Sequence, residues 1–101
     1  MSGMKHYRNK KILQAARDEP CLFLSPVCRG NSKTTVMAHS DMLEDGKGMG
    51  IKAHDCFVCI TCMDCHNWYG EGKLSYEIKN DFFTRGMKRT WLRLLQKGVL
   101  K

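Results

Sequence analysis

Residues 56–70 read Cys56-Phe-Val-Cys59-Ile-Thr-Cys62-Met-Asp-Cys65-His66-Asn-Trp-Tyr69-Gly70. A short apolar run, Cys56 to Ile60, meets a Cys-x2-Cys-His motif, and a segment follows that ends near Gly70 and Gly72. The apolar run fits a strand or a buried helix, and the strand is the better reading. The segment through Tyr69 reads as a short helix. Cys62-x2-Cys65 has the spacing of a zinc knuckle, in which a tight turn aims two thiolates at one ion about 2.3 Å away. Cys21-x6-Cys28 supplies a second pair, separated from the first by 33 residues and flanked by the turn residues Ser25, Pro26, Gly30 and Asn31. Cys21, Cys28, Cys62 and Cys65 are therefore predicted to hold a structural Zn2+, closing a loop of about 45 residues. Two other readings stay open. Free cysteines are often simply buried apolar thiols. Cys56, Cys59, Cys62 and Cys65 also form C-x2-C-x2-C-x2-C, close to an iron–sulfur run, although the last gap is one residue short and His66 stands where that run has proline.

On the N-terminal side, His6, Arg8, Lys10 and Lys11 make a basic arm over residues 1–11. Ile12, Leu13, Ala15 and Ala16 recur near the helical period, predicting a helix over 8–18 that Pro20 stops. Leu22 to Leu24 suits a short strand. Thr34 to Met37, leading into Ala38-His39, suits another extended segment. Gly46, Gly48 and Gly50 mark a loop over 44–53 that lacks the Gly-Lys-Ser/Thr ending of a phosphate loop. On the C-terminal side, a helix is predicted over about 75–97, with Ile78, Phe82 or Phe83, Met87, Trp91, Leu94 and Leu95 as its apolar stripe. Gly98 is its C-terminal cap. Lys79, Arg85, Lys88, Arg89, Arg93 and Lys97 occupy the other face.

The chain has 101 residues, room for one domain only. Hydrophobic residues make up 43% and charged residues 27%, a globular balance. A domain of this size buries only roughly 60–65% of its unfolded surface, so a metal staple matters. Seventeen Lys and Arg against ten Asp and Glu give a formal charge of +7, which points to a polyanionic partner such as nucleic acid. No apolar run is long enough for a membrane span. MSGMKHYRNKK has no apolar core of a secretory signal, so the expected location is the cytoplasm, and clustered cysteines are read as metal ligands rather than disulfides.

The order Cys pair, Ala38-His39, glycine loop, Lys52-Ala53-His54-Asp55, Cys62-x2-Cys65-His66 resembles the HNH (ββα-metal) endonucleases, and most of all the small nucleases of lambdoid phages and prophages. The resemblance covers about 17–71 and extends loosely to Trp91-Leu92 and Gly98-Val99. It implies an α+β fold: one small zinc-stapled ββα-metal domain with flanking N- and C-terminal helices. It implies a divalent-metal-dependent DNA endonuclease in a bacterial host cell, acting in recombination or DNA processing. His39 takes the place of the general base or a metal ligand. His66 takes that of the ligand for a catalytic Mg2+, Mn2+ or similar ion. Asp55 or His54 would orient His39 or bind metal, and Asp41 and Glu71 are further oxygen donors. Lys10, Lys11, Lys47, Lys52, Lys88 and Arg89 are candidates for DNA contact, and cutting both strands would suit a homodimer. Two departures from the pattern stand out: Ala38 precedes His39 where many members have a ligand, and Tyr69 and Gly70 replace a second helix histidine. They keep open an alternative, a non-catalytic zinc module on a nuclease scaffold that binds DNA or a host or phage protein.

Overall fold

The computed structural model describes residues 6–48, 50–70 and 74–100. It is a small α+β structure with a two-stranded sheet and three helices: α1 (Lys10–Gln14), β1 (Val36–His39), β2 (Val58–Thr61), α2 (Met63–Gly70) and α3 (Tyr76–Gln96). The strands are antiparallel, with Val36 opposite Thr61 and His39 opposite Val58. The chain passes from β1 to β2 and directly into α2, so the end of β1 and the start of α2 belong to one ββα unit.

Helix α1 is shorter than the 8–18 predicted. The Asn9 side chain accepts from the Lys11 and Ile12 N–H groups and caps it at its start, so residues 6–9 lie outside the helix. At the other end, the Lys97 ammonium donates to the Ala15 carbonyl and the Thr35 hydroxyl to the Ala16 carbonyl. Those two carbonyls are thus satisfied without a longer helix. The strand expected at Leu22 to Leu24 is absent. The Leu22 N–H does reach the Ile60 carbonyl at 2.9 Å, but Leu24 turns to φ 56 and leads the chain into the Ser25–Cys28 turn. The extended segment expected from Thr34 begins at Val36, because Asn31 caps a single 3-10 turn over Ser32–Thr34.

Strand β2 is buried at all four positions, because α3 crosses it. The Ile60 N–H donates to the Thr90 hydroxyl, which donates to the Gly86 carbonyl, and the Trp91 indole donates to the Cys56 carbonyl. Helix α3 keeps its predicted place. Ser75 caps its start by accepting from the Ile78 N–H. Gly98, at φ 76, ends it in a Schellman turn, with Val99 N–H to Leu94 carbonyl and Gly98 N–H to Leu95 carbonyl. The stripe is narrower than predicted: Phe83, Met87 and Leu94 are buried, whereas Ile78 and Leu95 are exposed. Phe23, Tyr69, Phe82, Phe83 and Trp68 form an aromatic cluster above the cysteines, and Ile12, Ala15, Val58 and Leu94 form a second cluster where α1 and the end of α3 meet. No helix among the described residues is long and apolar enough to cross a membrane.

Candidate metal centre and histidine cavity

The Sγ atoms of Cys21, Cys28, Cys62 and Cys65 lie within 4.8 Å of one another. Cys21 and Cys65 are 3.7 Å apart, and Cys28 and Cys62 are 4.0 Å apart. Four thiolates around a tetrahedral ion at about 2.3 Å would be about 3.8 Å apart. The spacing fits such an ion and is far too long for a disulfide. Each half of the cluster is shaped locally. The Cys28 N–H donates to the Ser25 carbonyl and the Val27 N–H to the Ser25 hydroxyl, which closes the first turn. The second pair spans the junction of β2 and α2, where the Cys62 carbonyl accepts from the His66 N–H and the Thr34 hydroxyl accepts from the Met63 N–H. The cluster can hold a metal such as zinc.

The iron–sulfur reading fails on geometry. Cys56 and Cys59 are not in the cluster. Cys59 points from β2 into the core beneath Gly86, where burial pushes its thiol up to about 12. Cys56 is half-buried, and burial raises its thiol as well.

Beside the cluster, the open side of β1 borders a cavity of about 370 Å³ lined in part by His39, Asp41, Lys47, Lys52 and His66. His39 is carried there by β1, and His66 by α2 one residue beyond Cys65. The strand's alternation turns Ala38 into the core and His39 towards the cavity. The His39 Nε2 lies 2.8 Å from Asp55 Oδ1. Asp55 is buried, and its other oxygen accepts from the Asn9 N–H at 2.7 Å. The Arg8 guanidinium stands 3.3 Å away. Burial alone would raise the Asp55 carboxyl, but the hydrogen bonds from His39 and Asn9 and the nearby charges of His39 and Arg8 hold it below its ordinary value. An ionised carboxylate only accepts, so the contact to Asp55 is one in which His39 Nε2 donates.

His54 is placed differently. Its Nδ1 accepts from the Tyr7 N–H at 2.9 Å, and its ring stacks on His6 at 4.8 Å. It also abuts Gly46, where an added Cβ would come within 2.7 Å of the ring. His54 is not among the residues lining the cavity, and its N–H donates to the Asp45 carbonyl. His6 is correspondingly not a free arm residue: its Nε2 contacts the Gly46 carbonyl at 2.7 Å. Asp41 accepts Lys79 on its side chain at 3.5 Å, and its N–H donates to the Tyr69 phenol, which burial keeps protonated. Glu71 lies outside the described residues. Lys10, Lys11 and Lys88 are exposed, whereas Arg89 donates to the Leu22 carbonyl at 2.6 Å.

Sequence reasoning missed the role of residues 7–9. Arg8 donates to the Ala53 and Lys52 carbonyls, Asn9 to Asp55, and the Asp55 N–H to the Tyr7 carbonyl. This segment is an extended strap that fixes the Asp55 carboxylate from behind. No local signal marks it, because every partner lies more than 40 residues away.

A family model described as "Putative nuclease YbcO" matches residues 10–99. The Escherichia coli (strain K12) protein of that description is 33% identical over 93 residues, covering 89% of this chain and 96% of the relative. "Putative nuclease ybcO" of Enterobacteria phage 82 gives the same figures. A solved structure described as "Structure of a putative bacteriophage protein from Escherichia coli str. K-12 substr. MG1655" superposes with a TM-score of 0.63 at 28% identity, covering 85% of this chain and 98% of that one.

Proposed function

The chain belongs to the family described as "Putative nuclease YbcO", and from that premise we propose that it is a divalent-metal-dependent DNA endonuclease with an HNH-like ββα centre. The observation that carries this reading is the His39 Nε2–Asp55 Oδ1 contact of 2.8 Å at the edge of a cavity that His66 also lines. His39 Nδ1 takes the proton of the water that attacks the phosphodiester phosphorus. Asp55 fixes the tautomer that makes Nδ1 the base and stabilises the imidazolium formed. The Lys47 and Lys52 ammonium groups, at the same cavity, draw the anionic backbone in.

His66 and Asp41 are the donors this cavity offers to a catalytic cation, an imidazole and a carboxylate that together suit Mn2+ or a similar ion. They do not converge as the cysteines do; a hard divalent ion commonly keeps waters and binds through one or two protein groups plus phosphate oxygens. When bound, such an ion supplies charge neutralisation on the scissile phosphate. A zinc ion held by Cys21, Cys28, Cys62 and Cys65 would have a different part, tying Cys65, and with it the turn of α2 that carries His66, to the Cys21–Cys28 turn.

The test is cleavage of supercoiled plasmid and branched DNA by the zinc-loaded chain across Mg2+, Mn2+, Co2+ and Ni2+. Divalent-dependent nicking that His39→Ala abolishes is the expected result. Cutting that survives both His39→Ala and His66→Ala would remove the assigned roles.

A further inference from the structure

We propose that a trough along the free edge of β1 is the track for the nucleic-acid strand, with Arg17 and Lys33 binding phosphates that flank the one at His39. The proposal rests on the nuclease reading above and adds to it the direction and extent of the substrate.

The histidine cavity does not end at β1. A second cleft of about 610 Å³ adjoins it, lined in part by Arg17, Asp18, Lys33 and Thr35, and the two share Val36 and Met37. Among the described residues the sheet has two strands, so the edge of β1 away from β2 has no neighbouring strand there. The charges along this edge set it apart. Most cations elsewhere are engaged: Arg8 with Asp55, Arg29 with Asp64, Lys79 with Asp41, Arg85 with Asp81, and Arg93 and Lys97 with Glu19. Arg89 bonds the Leu22 carbonyl, and Lys10, Lys11 and Lys88, exposed on the surface, line neither cavity. Arg17, Lys33, Lys47 and Lys52 make no ion pair or side-chain hydrogen bond among the described residues, and all four line the joined cavities. Two acids share the trough, Asp18 in the second cleft and Asp41 in the first, and Asp41 is already paired with Lys79. The balance is positive from end to end.

A lone anion would need one such cluster. Cations at both ends of a strand suit a polymer of regularly spaced phosphates. From Thr35 to His39 the extended backbone runs about 13 Å, equivalent to about four steps of duplex rise. Arg17 and Lys33 thus meet phosphates a few nucleotides to one side of the cut, while Lys47 and Lys52 serve the cut itself. The partly exposed Val36 and Met37 floor the trough between them.

The experiment uses the zinc-loaded full chain, a labelled DNA duplex and a salt titration of binding without added catalytic cation. Cleavage of DNA and hydrolysis of bis(p-nitrophenyl) phosphate, which has no flanking phosphate, are measured in parallel. In the Arg17→Gln/Lys33→Gln double variant, the slope of log affinity against log salt should fall by about 1.8, about 0.9 for each lost contact. KM for DNA should rise while hydrolysis of the small ester is unchanged. Arg85→Ala, which removes a cation far along α3, should leave the slope as it is. A double variant with the wild-type slope, in a chain that binds and cuts, would overturn the track and leave the nuclease reading intact. Loss of small-ester hydrolysis in that variant would overturn it too, by placing these residues in the reaction centre or the fold. A wild-type chain that neither binds nor cuts DNA would remove both readings.

Discussion

A β-carbon on Gly86 would stand 2.5 Å from the Sγ of Cys59, with the Leu22 carbonyl oxygen and the Phe23 Cα each 3.1 Å away. At Gly86, α3 therefore packs against β2 through a missing side chain. Gly86→Ala is expected to cost about 1–3 kcal/mol by overpacking. For a domain of this length that lowers Tm by about 4–8 °C per kcal/mol. Placing the change in a Cys59→Ala background removes the sulfur but not the two backbone contacts, so part of the cost should remain. Thermal melts of the four chains in a double-mutant cycle measure the coupling.

The cysteines separate into a cluster of four that could hold a metal and two, Cys56 and Cys59, that lie outside it. Elemental analysis of purified chain should find one zinc per molecule. Cys56→Ser and Cys59→Ala should keep that ratio, while Cys62→Ser or Cys65→Ser should lose it. Stripping the ion with a strong chelator should abolish the cooperative thermal transition, since a cluster joining residues 21 and 65 ties the two halves of the chain. Zinc retained in Cys65→Ser would contradict the assignment.

The pair of His39 and Asp55 predicts a rate effect and a stability effect. His39→Ala should lower kcat by on the order of 10²–10⁴. Asp55→Asn should lower it as well without removing the imidazole, because an amide there no longer dictates the tautomer. For stability the sign follows from the depressed Asp55 carboxyl. The folded chain holds the ionised form more firmly than the unfolded chain does. That contribution is complete above the ordinary carboxylate range and is lost as pH falls through the lowered folded value. Denaturant melts from neutral to acid pH should therefore show an acid-side loss of stability that Asp55→Asn reduces. An unaltered acid limb would show that Asp55 is not the carboxylate responsible.

Adjacent cations on α3 should behave oppositely. Arg89→Ala breaks the bond to the Leu22 carbonyl and should cost roughly 1–3 kcal/mol. Lys88→Ala, on the exposed side, should be close to neutral for stability. Urea midpoints of the two variants decide this directly.

How much could be read from the sequence depended on the range of the interactions. Helix α3 was legible to within a residue or so because its stop signals are local: Ser75 caps one end and Gly98 turns the other. The cysteine pairing was legible because turn residues flank both pairs. Helix α1 was overextended because residues 15–18 continue as i→i+3 turns to a left-handed Asp18, while Thr35 and Lys97, from distant elements, also take the Ala16 and Ala15 carbonyls. The basic face of α3 looked free because Glu19, which takes Arg93 and Lys97, lies more than 70 residues earlier. At the site, His39, Lys47, Lys52 and His66 do share a cavity, and Asp55 meets His39. His54 carries the same residue chemistry but sits against Tyr7 and His6, and only tertiary contacts separate its placement from that of His39.

Cys65 and His66 are consecutive residues on α2, with His66 lining the cavity, and two of the three other sulfurs of that cluster, those of Cys21 and Cys28, come from a turn made much earlier in the chain. That cluster closes only once residues 21–65 have all left the ribosome, and an ion held there would tie the helix of His66 to the early turn. On the proposed reading, a freshly made or metal-starved chain is harmless to the chromosome around it. Zinc supply would then act as a licence on the proposed DNA-cutting activity.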